Sequence, residues 1–122
     1  MWMDHRAVEE AKLITATQHA VVEQFGGTCS PEFSLSKLLW IKKHEPLRFE
    51  NAIGFMELPD WLSWRCSTFF NSNSVKTFPR SICSVVCKWG FDAEKHKWRD
   101  DLFQLIGLNE FVNDESKIGG KN

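Results

Sequence analysis

The sequence predicts an α/β chain, predominantly helical with a few short strands. Three observations carry that expectation. Apolar residues recur at three- and four-residue spacing over residues 5–25, 30–44 and 98–106, the period of a helix with one buried side. Apolar stretches at 53–58 and 80–91, the second rich in small and β-branched residues, read as short strands or extended segments. Glycine, proline and serine stand at the joins, where they punctuate structure.

The first helix is expected over residues 5–25. Ala7, Ala11, Ile14, Gln18, Val21 and Phe25 share a side, while Glu9, Glu10, Lys12 and Glu23 take the other. Gly26 and Gly27 end it. Ser30 before Pro31 marks the next start, and Pro46 stops that helix near His44. Its Leu38-Leu39-Trp40-Ile41 run reads as core. A short helical turn is expected at 47–52. Pro59-Asp60 then opens a helix whose Leu58, Trp61, Leu62 and Arg65 fall on one face. Trp61 and Trp64 read as packing residues, and Asp60 as a cap or a buried hydrogen-bonding group. Residues 69–79 read as a loop by their Asn, Ser and Pro content. The last helix, 98–106, stops at Gly107, and the polar tail from Asn113 is expected to fray.

A chain of 122 residues holds one domain at most. Its net charge of −1, with no stripe of Lys and Arg, excludes an electrostatic nucleic-acid footprint. No apolar stretch approaches the length that spans a bilayer, so no membrane partner is expected, and Asp4 and His5 interrupt any secretory leader. Six Trp and ten Phe with no Tyr exceed what a small core needs, the inventory of a piece of a larger apolar body. Cys29, Cys66, Cys83 and Cys87 read as free thiols, and the scattered histidines complete no metal-ligand spacing.

Chemistry concentrates at Trp2-Met3-Asp4-His5-Arg6-Ala7, directly before the first helix. Free N–H groups and a positive dipole end make a helix start suited to a polar ligand. The plainer reading is that Asp4 is an N-cap. Trp2-x-Asp4-x-Arg6 resembles the sugar-site motif of the FGGY carbohydrate kinases, and the fuller hexapeptide is most similar to the ribulokinase-type branch. A second segment, Pro31-Glu32-Phe33-Ser34-Leu35-Ser36-Lys37-Leu38-Leu39-Trp40, resembles the family's Lys-Leu-Leu-Trp segment. The resemblance implies that Glu32 reaches the bound sugar, where a carboxylate accepts hydrogen bonds from neighbouring hydroxyls. The competing reading is a glutamate decorating a helix start.

The resemblance covers residues 1–119 as part of an N-terminal kinase domain, with 69–79 an insertion, or coding sequence retained at a splice junction, and 120–122 a tail. It implies a piece of an actin-like (ribonuclease H-like) ATPase domain in a cytoplasmic enzyme. That enzyme would transfer the γ-phosphate of ATP, with Mg2+, to a pentulose hydroxyl. The phosphate loop, catalytic aspartate and adenine site of the family have no counterpart in these residues. The chain alone is therefore expected to bind neither ATP nor Mg2+ and to be inactive, its partners being the sugar and the remainder of the kinase. Trp2 would wall the sugar carbons, Asp4 accept from hydroxyls, Arg6 orient Asp4 or substrate, and Glu32 face them, with Lys37 the outlying member. The starts of the first and second helices must then converge on one polar hollow. The alternative is a non-catalytic helical interaction module.

Overall fold

The structure, a computed structural model, describes residues 3–70 and 79–119, without the side chains of 69 and 70. Among these residues seven α-helices, a two-stranded ladder and a 3₁₀ turn follow in order. They are α1 Val8–Ala16, α2 Ala20–Gln24, α3 Ser34–His44, α4 Pro46–Asn51, α5 Leu58–Phe70, α6 Ile82–Trp89, β1 Phe91–Asp92, β2 Lys97–Trp98, α7 Asp100–Ile106 and the turn Asn109–Phe111. No helix among the described residues is long and apolar enough to cross a membrane.

The other elements gather around α3, which packs on α1, α4 and α6. Its inward side is Leu35, Ser36, Leu38 and Leu39. Ile14, Val21, Leu102, Phe103, Leu108, Phe111 and Ile118 join Leu35 in a core closed to water. Phe49, Phe55, Phe103 and Phe111 meet ring to ring within it at 5.1–6.1 Å, edge-on or tilted, the arrangement that aromatic quadrupoles favour.

One charged pair is sealed into this interior. Arg80 Nε donates to Asp60 Oδ2 at 2.8 Å, and both side chains are almost wholly buried. Arg80 Nη1 also donates to the carbonyls of Phe55 and Ile118. The Asp60 carboxylate takes the Ser81 N–H and the Ser84 hydroxyl as well. Asp60 is thus the buried hydrogen-bonding group that the sequence allowed.

Several elements depart from expectation. The single helix at 5–25 is two. Gln18 takes a left-handed φ of 49°, the Thr17 hydroxyl accepts the His19 N–H, and His19 caps α2 by accepting the Val21 N–H on Nδ1. Local side-chain acceptors have out-competed helix continuation there. Ser30 starts a turn, not α3: its hydroxyl accepts the Glu32 N–H, and the helix opens at Ser34. Residues 53–58 form no strand ladder, but the Phe55 N–H pairs with the Lys117 carbonyl. Residues 80–91 are mainly the helix α6, because Val85 and Trp89, four apart, bury on one side. The strands instead form a hairpin, Phe91 opposite Trp98 and Asp92 opposite Lys97, so Trp98 precedes α7 and does not begin it. Helix α5 runs through Phe70, so residues 69 and 70 of the expected loop are helical, and its residues 71–78 lie outside those described. The tail does not fray up to Gly119: Ile118 is buried, and the Gly119 carbonyl accepts the Trp98 indole N–H at 3.1 Å.

Candidate functional site

The approach to α3 carries the site. Phe33, just before the helix, is extended at φ −68° and ψ 146°, which turns Glu32 away from the helix axis. The Glu32 carboxylate lies 3.4 Å from His5 Nε2 and is about a quarter exposed. His5 belongs to the segment leading into α1, so this contact brings the two polar segments together.

On either side of His5, Asp4 and Arg6 bind each other. Arg6 Nε donates to Oδ1 at 2.9 Å and Nη2 to Oδ2 at 2.8 Å, the two-pronged geometry that gives charge-assisted pairs their strength. The Arg6 backbone N–H adds a longer bond to Oδ1. Arg6 hydrogen bonds hold the Asp4 carboxyl well below the usual carboxylate range, and the nearby Lys37 ammonium pulls the same way. The Arg6 guanidinium is raised in turn, chiefly by Asp4. Arg6 lies over the Trp40 ring, 4.4 Å from its centroid. Asp4 does not cap α1, whose first turn has no side-chain cap.

Below Glu32 opens a cleft of about 720 Å³ between α3, residues 54–57, the first turn of α5 and the end of α6. Phe33, Leu38, Phe55, Trp61 and Trp89 make its walls mostly apolar. Glu32, Lys37, Glu57 and Lys88 supply the polar groups. Such a surface, apolar with a few convergent polar groups, is the ordinary form of a small-molecule site. Lys37, on the first turn of α3, faces the same cleft as Glu32. Trp2 lies outside the described residues.

Glu57, Lys88 and His5 carry no functional weight in the sequence reading, which places Trp61 in the packing. Glu57 accepts hydrogen bonds from the Ser34 hydroxyl and from the Trp89 indole N–H at 2.9 Å. It therefore ties α3, the 54–57 segment and α6 across the cleft. Its one sequence signal is a carboxylate directly before Leu58-Pro59-Asp60. Trp61 is nearly half exposed and, with Leu58 and Leu62, forms an open apolar stripe on α5. The arrangement can accept hydrogen bonds from hydroxyls at Glu32, donate from Lys37 and Lys88, and shield carbon faces with aromatic rings. Among the described residues no three His, Cys, Asp or Glu side chains gather to hold a metal ion. The residues present do not fit a Mg2+ site, and no metal-dependent step is assigned to them.

Residues 1–112 match the family model of the FGGY family of carbohydrate kinases, N-terminal domain. An FGGY carbohydrate kinase domain-containing protein of Homo sapiens is 42% identical, over 99% of this chain and 21% of its own length. A protein of that name from Danio rerio is 38% identical over the same shares. A D-ribulokinase of Saccharomyces cerevisiae is 31% identical over 98% of this chain and 16% of its own length. The chain thus spans about a fifth of the length of the curated relatives it matches. With nearly all of its residues inside the match, the chain belongs to the FGGY family of carbohydrate kinases, in their N-terminal domain.

Proposed function

We propose that the chain is the sugar-facing wall of an ATP-dependent kinase that phosphorylates a hydroxyl of a pentulose such as ribulose. The observation that carries this is the meeting of the two polar segments: His5 touches Glu32, while Glu32 and Lys37 line one cleft. The ribulokinase among the relatives supports the sugar class. Glu32 accepts from ketose hydroxyls, Asp4 accepts where Arg6 leaves its lone pairs open, and Lys37 donates. Trp2 supplies an apolar wall. Residues 1–119 act as part of an actin-like domain in a cytoplasmic enzyme, with 69–79 an insertion. ATP and Mg2+ engage the remainder of the kinase, which is the chain's partner, and the transfer that yields ADP and the sugar phosphate takes place there. These 122 residues are inactive alone.

Two measurements test the reading. The isolated chain, assayed by ATP-coupled phosphorylation of D-ribulose, shows no turnover; turnover abolished by Trp2→Ala would overturn the assignment of catalysis elsewhere. In a complete kinase carrying these residues, Glu32→Ala raises the ketose KM far more than the ATP KM, because a lost acceptor leaves sugar hydroxyls unpaired. Equal changes in both would remove Glu32 from the sugar site.

One observation favours a second reading, a non-catalytic helical binding module: the open stripe Leu58, Trp61 and Leu62 on α5. Sedimentation separates the two. A stable, soluble monomer supports the module, and self-association through that stripe supports a wall that the rest of a kinase covers.

A further inference from the structure

We infer that residues 4–6 form a strap clamped along α3, with Arg6 and Trp40 as the clamp and His5 as a positioning residue for Glu32. The inference deepens the proposed sugar site and rests on the role given there to Glu32.

The strap meets the α3 region at two points, eight residues apart. At one, the Arg6 guanidinium lies 4.4 Å from the Trp40 ring centroid. Trp40 is itself held by a stack on His44, one turn on, at 4.6 Å and 18° between planes. At the other point His5 Nε2 reaches the Glu32 carboxylate at 3.4 Å. Arg6 is engaged in two directions: its edge by Asp4, through Nε and Nη2, and its face by the indole. A guanidinium used in both ways is a fastener more than a sugar ligand.

The clamp matters because His5 cannot hold itself. Its side chain is about two-thirds exposed, and among the described residues Glu32 is the one side chain paired with it. Glu32 has the same difficulty. Its backbone is tied by the Ser30 hydroxyl, but among the described residues His5 is the sole side chain paired with its carboxylate. A glutamate with a free carboxylate samples many rotamers, and a ligand that needs one of them bears the cost of ordering it. Trp40 therefore acts on Glu32 through Arg6 and His5. This gives a physical reason for the Trp-x-Asp-x-Arg motif and the Lys-Leu-Leu-Trp segment to occur in one chain: one is fastened to the other.

The test uses the 122-residue chain and NMR. In the parent, three-bond couplings give Glu32 one dominant χ1 rotamer, and a His5–Glu32 cross-peak is present. His5→Ala averages the Glu32 rotamers while the Leu35–Leu39 amide shifts stay in place. Arg6→Lys and Trp40→Leu each raise the population lacking the cross-peak by about two- to fivefold, the weight of an exposed cation–π contact. D-ribulose is then titrated as the probe, and His5→Ala weakens its binding roughly two- to tenfold, the cost of ordering one side chain. Unchanged Glu32 couplings in His5→Ala overturn the positioning role, as does unchanged ribulose affinity in a parent that binds it. A cross-peak that survives both Arg6→Lys and Trp40→Leu overturns the clamp. If Trp40→Leu disturbs α3, the exposed Arg6→Lys change decides. If the parent does not bind ribulose while the couplings respond as stated, the strap stands, and equal changes in the ketose and ATP KM for Glu32→Ala in the complete kinase then sink the sugar reading.

Discussion

Removing Asp60 should cost this protein a large part of its stability. Asp60→Ala leaves the Arg80 guanidinium in place with its side chain 4% exposed, facing the ring of Trp89 at 4.3 Å. Burial already pulls that guanidinium below its ordinary pKa, and the Asp60 hydrogen bond is the main opposing influence. Without the carboxylate, a buried cation is unpaired, and the Ser81 N–H and Ser84 hydroxyl lose their acceptor. Breaking a buried pair in this way costs about 3 to 5 kcal/mol. Set against the ~5–15 kcal/mol that holds a typical domain together, that is about a fifth of the total or more. In urea unfolding followed by tryptophan fluorescence, the midpoint should fall by roughly 2 M, taking a slope of about 2 kcal/mol per M. Removing both charges, as Asp60→Leu with Arg80→Met, should be less damaging than Asp60→Ala alone. It will not be harmless, since the carbonyls of Phe55 and Ile118 lose their donor. A loss under about 1 kcal/mol for Asp60→Ala, the scale of an exposed pair, would refute the argument. So would a double variant weaker than the single one.

His19→Ala should lower stability by about 1 kcal/mol by uncapping α2, whereas His19→Asn, which keeps an acceptor near the position of Nδ1, should retain most of it; thermal melts compare them. Gly107 and Gly90 both sit at positive φ, 83° and 72°, but a Cβ at Gly107 meets nothing within 4 Å and one at Gly90 falls 2.8 Å from Leu102 Cδ2. Gly107→Ala should therefore cost about 1 to 2 kcal/mol of backbone strain and Gly90→Ala clearly more, with equal losses arguing against a tight site at Gly90. Hydrogen bonds from Arg99 hold the Asp101 carboxyl well below its ordinary range, with His19 Nε2–H adding a weaker hold. Because the folded form has the lower pKa, this stability is present above about pH 4 and drains away as the pH falls further. Asp101→Asn should flatten that acid limb in melts taken between about pH 5 and pH 2.

Features set by a residue and its near neighbours were legible in the sequence. Pro46 stops α3 at His44, and Gly107 ends α7 in the left-handed region, as their chemistry requires. Features decided by distant partners were not. Val85 and Val86 favour a strand, yet α6 forms because Val85 and Trp89 must share one buried side. The segment 113–119 is polar by composition, but Ile118 fills the core and its carbonyl receives Arg80. In the candidate site, Glu32 and Lys37 were visible through their motif. Glu57 was not, since its partners Ser34 and Trp89 stand 23 and 32 residues away.

The carbonyls of Lys117, Ile118 and Gly119 receive donors from Phe55, Arg80 and Trp98. These acceptors lie beyond the family match, which ends at residue 112. During synthesis from the N-terminus, α1 through α7 emerge before the three carbonyls that close the interior. The Arg80 side chain must wait 38 residues for Ile118, and the Trp98 indole 21 for Gly119. Closure is therefore a late, long-range event, and the loop that must close sets its rate more than any local helix does.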